Sequence, residues 1–468
     1  MRPSRRTVLA ATGGSALAAG AGTAEAAPPG GGPQATAQRP ATAQPPTREL
    51  RALLREIDPA RIEATVRKLV SFGTRHTLSA QDDPARGIGA ARDWLLAELR
   101  AYAAASGGRM TAELQSYVQE PGPRIPTPTR ITNVLATLRG SVTPDRIYVV
   151  SGHYDSRVTD VMDATSDAPG ADDDASGVAV VLELARVMAK RRPAATIVFA
   201  AVAGEEQGLF GSAYLAQQFK AAGADVQGMF TNDIVGSTTA DDGTRDPYTI
   251  RLFAEGVPSS ETPEQAAIRR SVGGENDSAT RQLARFVRDV ADNDATGMHV
   301  RVVYRRDRYR RGGDHIPFLE RAYPAARFTE PAEDFAHQHQ DVRVEDGKQY
   351  GDLPEFCDFD FTARVAKVNG AALWTLAQAP GTPRGAKIVT TLLTNSTQLV
   401  WTRGTEEDLA GYEIVWRETT APEWTHVIPV GDVTTYEIDL SKDNVFFGVR
   451  AVNTKGLRSP VAFPEPQS

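Results

Sequence analysis

Short apolar runs alternate with helical patterns through the middle of the chain, and this alternation restricts the fold more than any other feature. The runs RIYVVSG, ATIVFAAVAG, GMFTNDIVG and AYPAARFTEP have the length and apolar content of buried strands. Between them, SGVAVVLELARVMAKR and GSAYLAQQF have the periodicity of helices. This order predicts an α/β fold with a largely parallel, mixed sheet that helices cover on both faces.

Further elements flank this region. Residues 47–106 have a helical pattern, and ITNVLATLRG predicts one more strand before the alternation begins. Between Ser237 and Arg308, clusters of Gly, Asp and Ser interrupt the pattern. There the sequence predicts only a helix near residues 278–290 and a strand near residues 299–304.

The first residues have the pattern of an export signal. Arg5 and Arg6 form a twin-arginine pair, and a short Ala/Gly-rich run leads to a small-x-small site at Ala24–Ala26. The apolar run is shorter than the roughly 20 residues that span a membrane. We therefore expect a signal peptide over residues 1–26, a disordered linker rich in Pro, Ala and Gln over residues 27–46, and a secreted protein without a membrane span.

The bulk composition limits the partners and the number of domains. A length of 468 residues allows more than one domain, and the formal charge of −7 argues against nucleic acid as the main partner. One cysteine, Cys357, excludes an intrachain disulfide.

The pattern changes again after Pro380. Four segments alternate apolar and polar residues, which predicts a small antiparallel β-sandwich. They are TQLVWT, GYEIVWRE, TTYEIDL and VFFGVRAVN. Over residues 382–464 this pattern resembles a fibronectin type III module, so the first domain would span residues 47–380. Two roles fit such a module: it binds a surface or polysaccharide, or it acts as a passive spacer.

Polar groups of the kind that bind metals follow four predicted strands. Because ligands bind at the carboxyl ends of strands in open α/β sheets, these groups are expected at one edge of one sheet. They are, strand by strand, His153 and Asp155; Glu205 and Glu206; Asp233; and His337 and His339. The motif GADDDASG adds three consecutive aspartates, Asp172 to Asp174, at the start of the helix after the first of these strands.

This donor set predicts a catalytic metal site. Oxygen and imidazole donors without a thiolate suit zinc, with manganese or cobalt as substitutes. Two histidines and three carboxylates are too many for one tetrahedral ion, whereas two ions with a bridging carboxylate would use them all. A bridge would also explain the aspartate triplet, whose other members shape the loop and cap the helix. In the adjacent pair Glu205–Glu206, one carboxylate would bind metal and the other would act as general base.

The chain contains five motifs in this order: SGHYDS, GADDDASG, AGEEQGLFGS, ND and the late histidine loop. Together they resemble the motifs of the M28 zinc aminopeptidases, the two-zinc group of secreted bacterial enzymes. The resemblance covers about residues 131–379. It implies that the metal ligands are His153, Asp173, Glu206, Asp233 and one late histidine. It also implies that Asp173 is the bridge, that the Asp173–Asp174 peptide bond is cis, that Glu205 is the general base and that Asp155 orients His153.

The late loop departs from the family pattern. Many relatives have Tyr-His with an aspartate four residues after the histidine, and FAHQHQD matches that spacing with His337 and Asp341. We therefore expect His337 to be the ligand, with His339 as the rival. Ala336 precedes His337, so the tyrosine that would steady the oxyanion is missing at that place.

The resemblance implies a peptide hydrolase with peptide or protein substrates. In the predicted aminopeptidase, water that bridges two zinc ions attacks the first peptide carbonyl while Glu205 transfers its proton. Asp314 and His315, in GGDHIPFL, match a family segment that lines the site and are candidate substrate contacts.

Three alternatives remain beside the aminopeptidase. One is a carboxypeptidase or dipeptidase on the same scaffold. Another is a glutaminyl cyclase, because DHIPFL also resembles that group, although its site holds one zinc and its aspartate motif is less acidic. The third is a non-catalytic relative in which the sandwich is the working module, although such relatives lose ligands that this chain keeps.

Overall fold

The structure of the protein is a computed structural model that describes residues 41–391 and 393–467. The signal peptide predicted for residues 1–26 and most of the predicted linker lie outside the described residues. The described chain folds into a large α/β domain followed by a smaller β domain.

A mixed sheet of eight strands forms the centre of the large domain. In chain order the strands are Met110–Gln119 (β1), Thr129–Leu138 (β2), Thr143–His153 (β3), Ala195–Val202 (β4), Asp225–Asn232 (β5), Thr249–Phe253 (β6), His299–Val303 (β7) and Ala325–Thr329 (β8). Their order across the sheet is β1-β2-β4-β3-β5-β8-β6-β7. The four central strands β4, β3, β5 and β8 run parallel to one another, so their carboxyl ends meet at one edge.

Helices cover both faces of this sheet. In chain order they are Arg48–Leu54 (α1), Pro59–Val70 (α2), Ile88–Ala105 (α3), Gly177–Met188 (α4), Glu205–Gly208 (α5), Phe210–Ala221 (α6), Pro263–Val272 (α7), Ala279–Ala291 (α8), Ile316–Leu319 (α9) and Phe359–Gln378 (α10). The larger apolar core joins one face to α1–α4, α8 and α10, while α6 and α9 contribute to the core on the other face. A short hairpin of Arg343–Glu345 (β9) and Lys348–Tyr350 (β10) follows β8. This architecture confirms the predicted fold class.

The central strands contain long apolar stretches because helices cover both faces of the sheet. Every residue of β4 is buried. The end of β3 also approaches the start of α4 closely. A Cβ atom added at Gly152 would lie 2.6 Å from the carbonyl carbon of Gly177, so only glycine permits this contact. The close approach brings the aspartate triplet before α4 next to the end of β3.

The smaller domain is a sandwich of two sheets. Its strands are Arg384–Val389 (β11), Thr397–Thr402 (β12), Leu409–Glu418 (β13), His426–Gly431 (β14), Thr435–Ile438 (β15), Val445–Asn453 (β16) and Glu465–Gln467 (β17). One sheet has the order β15-β12-β11-β17 and the other β14-β13-β16. Trp401, Tyr412 and Phe447 pack in the core between the two sheets. The predicted all-β sandwich is therefore present.

A buried ion-pair cluster joins the two domains. The carboxylate of Asp277, just before α8, lies 2.9 Å from Arg285 of the same domain and 2.6 Å from Arg417 of β13. Gln282 of α8 donates to Asp277 and accepts a hydrogen bond from the indole of Trp424 in the sandwich. The sandwich therefore packs directly against the α/β domain.

The linker prediction is wrong for residues 41–46. Thr42 and Gln44 are buried, and the Thr42 hydroxyl donates to the carboxylate of Asp289 at 2.8 Å. The side-chain oxygen of Gln44 accepts from the backbone N–H of Arg458 in the sandwich. These hydrogen bonds come from residues far away in the chain, so the local composition does not indicate them.

Several elements were not predicted, among them strands β1 and β6 and helices α7 and α10. β1 extends the sheet at one edge by antiparallel pairing with β2, and β6 lies between β7 and β8 near the other edge. Helix α7 has no buried residues, so it lacks the apolar stripe that sequence periodicity detects. Among the helices of the described ranges, none combines the length and apolar character needed to cross a membrane.

Candidate metal centre

The predicted metal-binding side chains meet at the edge where the parallel strands end. His153 is the last residue of β3, and Asp233 directly follows β5. Glu206 lies in α5, which begins three residues after β4, and Asp173 lies in the turn before α4. These side chains are buried, although 80 residues separate the first from the last in sequence.

Two trios of donor atoms form at this edge, and they share one carboxylate. In each trio the candidate ligand atoms lie within 4.8 Å of one another. The first trio contains His153, Asp173 and Asp233, with His153 Nε2 3.1 Å from Asp173 Oδ1. The second contains Asp173, Glu206 and His339, with His339 Nε2 2.9 Å from both Asp173 Oδ2 and Glu206 Oε1. The two oxygens of Asp173 therefore face different trios.

The structure brings His339 to this cluster and not His337, which corrects the sequence-based choice. The ring of His337 stacks on Phe356, with the ring centroids 3.5 Å apart, and its Nδ1 lies 3.3 Å from Asp334. Asp341, whose spacing favoured His337, instead accepts a hydrogen bond from the backbone of Thr159. The spacing to Asp341 does not identify the ligand, because the backbone at His339 takes a left-handed conformation with φ at 51° and Asp341 contacts Thr159.

Asp155 anchors the loop behind the cluster. Its two carboxylate oxygens accept from the backbone N–H groups of Glu205 and Glu206, each at 3.2 Å, and Thr77 donates to it at 3.0 Å. His153 Nδ1 lies 3.1 Å from the backbone carbonyl of Asp155 but 3.6 Å from its carboxylate. Asp155 thus contacts the ring through its backbone, and its carboxylate chiefly positions the glutamate pair.

The aspartate triplet divides its contacts as the sequence predicts. The carboxylate of Asp174 accepts from the backbone N–H groups of His153 and Gly177, so it joins the end of β3 to the start of α4. Asp172 accepts from the backbone N–H of Gly236 at 2.6 Å. The Asp173–Asp174 peptide bond is cis, which confirms that prediction.

Three charged residues around the cluster were not predicted. Asp352 accepts from the backbone N–H groups of Asp172 and Asp173, both at 2.8 Å. Arg327 is fully buried and lies 2.7 Å from Asp233 Oδ1, while Arg157 lies 2.9 Å from Glu206 Oε2 and also contacts His339. None of the three stands in a motif that identifies a site, because each acts through a partner that is distant in sequence.

Burial and crowding change the pKa values of the cluster. Burial raises the pKa of Glu205 well above its usual range, and the nearby charges of Asp233, Glu206 and Asp314 add to this rise. Burial lowers the pKa of His339, but the carboxylates of Glu206 and Asp173 outweigh that effect and raise it to about 10. The site therefore favours a positive charge between its carboxylates.

Asp314 and His315, the candidate substrate contacts, are each only 1% exposed in this structure. His315 Nε2 lies 2.8 Å from the backbone carbonyl of Arg306, and burial lowers the pKa of this histidine to about 4. Burial raises the pKa of Asp314 to about 7, although the charge of His153 and the hydroxyl of Ser212 partly oppose this rise. Both residues are therefore buried near the site, and their contact with substrate stays a prediction.

Comparison with known proteins agrees with this arrangement. Residues 133–345, which include all the candidate ligands, match Peptidase family M28. A probable zinc metalloprotease of Pyrenophora teres is 58% identical over 90% of this chain and 88% of its own length. A probable zinc metalloprotease of Leptosphaeria maculans is also 58% identical, over 90% of this chain and 98% of its own length.

A solved structure supports the fold. LapA of Legionella pneumophila superposes with a TM-score of 0.50 at 20% identity, over 70% of this chain and 76% of its own. At this identity the likeness concerns the architecture alone, whereas the two fungal relatives share the sequence along most of both chains. On these grounds the chain is a metallopeptidase that belongs to peptidase family M28.

Proposed function

We propose that this protein is a secreted zinc aminopeptidase that removes the first residue from peptides. The observation that carries the proposal is the pair of donor trios that share Asp173. Each trio holds one histidine and the shared carboxylate plus one further carboxylate, so the two are chemically alike. That symmetry suits two ions bridged by one aspartate, an arrangement used in aminopeptidases.

The residues of this chain fit two zinc ions. His153 and Asp233 would hold one ion and Glu206 and His339 the other, with Asp173 between them. Glu206 Oε1 and His339 Nε2 are buried and lack an aligned hydrogen-bond partner, although they lie 2.9 Å apart. Buried polar atoms are seldom left without a partner, so these two support a ligand role. Oxygen and imidazole donors without thiolate are typical of catalytic zinc sites.

Zinc ions bound here would supply Lewis acidity, which polarises a peptide carbonyl and acidifies water. Glu205 would then take a proton from the attacking water on its carboxylate and deliver it to the leaving amine. Its raised pKa suits a group that must both accept and release a proton. Asp155 holds the backbone of Glu205 in place through a 3.2 Å hydrogen bond.

A peptide assay tests the proposed activity against its alternatives. The zinc-loaded protein is mixed with matched peptides that have a free or acetylated N-terminus, including one that begins with glutamine, and the products are weighed by mass spectrometry. We expect loss of the first residue from the free peptides only. Loss from the C-terminus would indicate a carboxypeptidase, and loss of ammonia alone from the glutamine peptide would indicate a cyclase. If no peptide changes while two zinc ions are bound, the peptidase proposal is wrong.

The amount of bound zinc shows which of the two late histidines is a ligand. The substitution His339→Ala should lower the bound zinc from about two ions per chain to about one. His337→Ala is the matched control and should keep the full content, because its ring stacks on Phe356 away from both trios. Elemental analysis after dialysis gives the zinc-to-protein ratio of each variant. The reverse result would return the ligand role to His337.

The location and the domain roles also form part of the proposal. The twin-arginine pattern supports export, with cleavage near Ala26, and it supports the likeness to secreted bacterial members of the family. The peptidase domain would span residues 47–380 and the fibronectin type III-like module residues 382–464. The two-sheet architecture of the module supports that likeness, and a surface or polysaccharide is the partner we propose for it.

A further inference from the structure

An arginine-rich segment connects β7 to α9. Residues 304–311 read YRRDRYRR, so five of the seven residues 305–311 are arginines in a chain whose formal charge is −7. Such a local excess of positive charge is unusual in an acidic protein and creates a strong local field.

The segment is fixed beside the candidate metal centre. Arg327 donates to the backbone carbonyl of Gly312 at 2.7 Å, and the same guanidinium pairs with Asp233. A Cβ atom added at Gly313 would lie 3.3 Å from Asp233 Oδ2, so the segment ends against the cluster. Glu333, on the loop that leads to His339, forms ion pairs with two arginines of the segment.

Only part of this positive charge is neutralised. Glu333 lies 3.3 Å from Arg308, which is largely buried, and 2.7 Å from Arg311, which is partly exposed. In contrast, the three residues Arg305, Arg306 and Arg310 are exposed and form no ion pair within the described part of the chain.

We call these three residues the arginine rim. Arg305 packs over the exposed ring of Tyr309 at 4.5 Å, and Arg306 donates to the hydroxyl of Ser259 at 3.4 Å, on the side where Glu255 lies. The three arginines stand within a stretch of six residues, so a bound anion would supply the counter-charge that this stretch lacks.

We infer that the arginine rim binds a carboxylate of the substrate downstream of the cleaved bond. The inference rests on the proposed aminopeptidase function. The three residues from Gly313 back to Arg310 span at most about 11 Å, roughly the length of three extended peptide residues. The carboxylate therefore belongs to one of the first residues after the scissile bond.

Arginine suits this role because its planar fork binds a carboxylate through two parallel hydrogen bonds. An acidic side chain or the C-terminus of a short peptide can supply that carboxylate. The experiment therefore needs one arm for each source.

The test compares three peptides: Leu-Ala-Glu-Ala amide, Leu-Ala-Gln-Ala amide, and Leu-Ala-Gln-Ala with a free C-terminus. Their dissociation constants are measured by calorimetry on the full, zinc-loaded Glu205→Gln chain, which should not consume them. We expect at least one carboxylate-bearing peptide to bind about fivefold tighter than the neutral amide. The double substitution Arg306→Gln/Arg310→Gln and 0.5 M NaCl should each reduce that difference to below about twofold, since exposed charge pairs are screened by salt.

Arg48→Gln is the matched control. This exposed arginine begins α1, and its neighbour Glu49 lines a cavity with Thr143 at the start of β3, the opposite edge of the sheet. Its removal should leave the preference for a carboxylate unchanged.

The peptide that binds tighter identifies the source of the carboxylate. Equal affinities for all three peptides, or no detectable binding of any of them, overturn the inference. The proposed function is judged separately, by whether the wild-type chain releases leucine from the neutral amide.

Discussion

Replacing Glu205 by glutamine is expected to lower kcat by about 10²- to 10⁴-fold, the range that a positioned general base contributes. Glutamine keeps the size of the side chain but cannot take a proton from water. Because proton transfer occurs in the transition state, kcat should fall while KM changes little. Glu205 belongs to neither donor trio, so the bound zinc should stay at the wild-type ratio.

Steady-state kinetics on the best peptide of the product assay, together with elemental analysis, measure both quantities. Glu113→Gln is the control, because Glu113 is an exposed glutamate on the edge strand β1 and should leave both unchanged. An activity within threefold of wild type, with full metal content, would show that another group moves the proton.

Replacing Asp277 by alanine is expected to destabilise the protein by about 3–5 kcal/mol, the cost of leaving buried cations without their partner. The side chains of Arg285 and Arg417 are each only 2% exposed, and Asp277 pairs with both. Arg417 comes from the sandwich, so the loss should weaken the contact between the two domains as well as their folding.

Denaturant unfolding followed by tryptophan fluorescence measures this effect. Trp424 reports directly on the domain contact, because its indole donates to Gln282 of α8 at 2.9 Å. Asp432→Ala is the matched control, since Asp432 also pairs with an arginine of the sandwich but at an exposed site. Its effect should be much smaller, because water already solvates both partners there. Equal shifts of the two unfolding midpoints would contradict the assigned role of Asp277.

Sequence periodicity predicted the central strands because burial on both faces leaves a local trace. Each of β3, β4, β5 and β8 contains a buried, largely apolar stretch with a polar residue at or just after its end. Parallel pairing brings those ends together, so the sequence alone predicts that His153, Glu206 and Asp233 meet at one edge.

The loops around the site could not be predicted in the same way. Two histidines stand two residues apart in FAHQHQD, and the contact of Asp341 with Thr159, 182 residues away, removes the spacing argument that favoured His337. Asp352 likewise acts on backbone N–H groups 179 and 180 residues earlier. Such partners are set by how distant loops pack, and no periodicity records them.

Local burial and residue chemistry are enough to specify the fold class, the chemical type of each candidate metal ligand and the strand end at which it lies. Only the tertiary structure shows that His339 contacts Asp173 and Glu206. It also shows that Arg327 pairs with Asp233 and that Asp352 accepts from the backbone N–H of Asp173. It also decided that residues 41–46 pack against the two domains instead of forming a linker. These outcomes depend on contacts between residues far apart in the chain, whose distances only the folded backbone specifies.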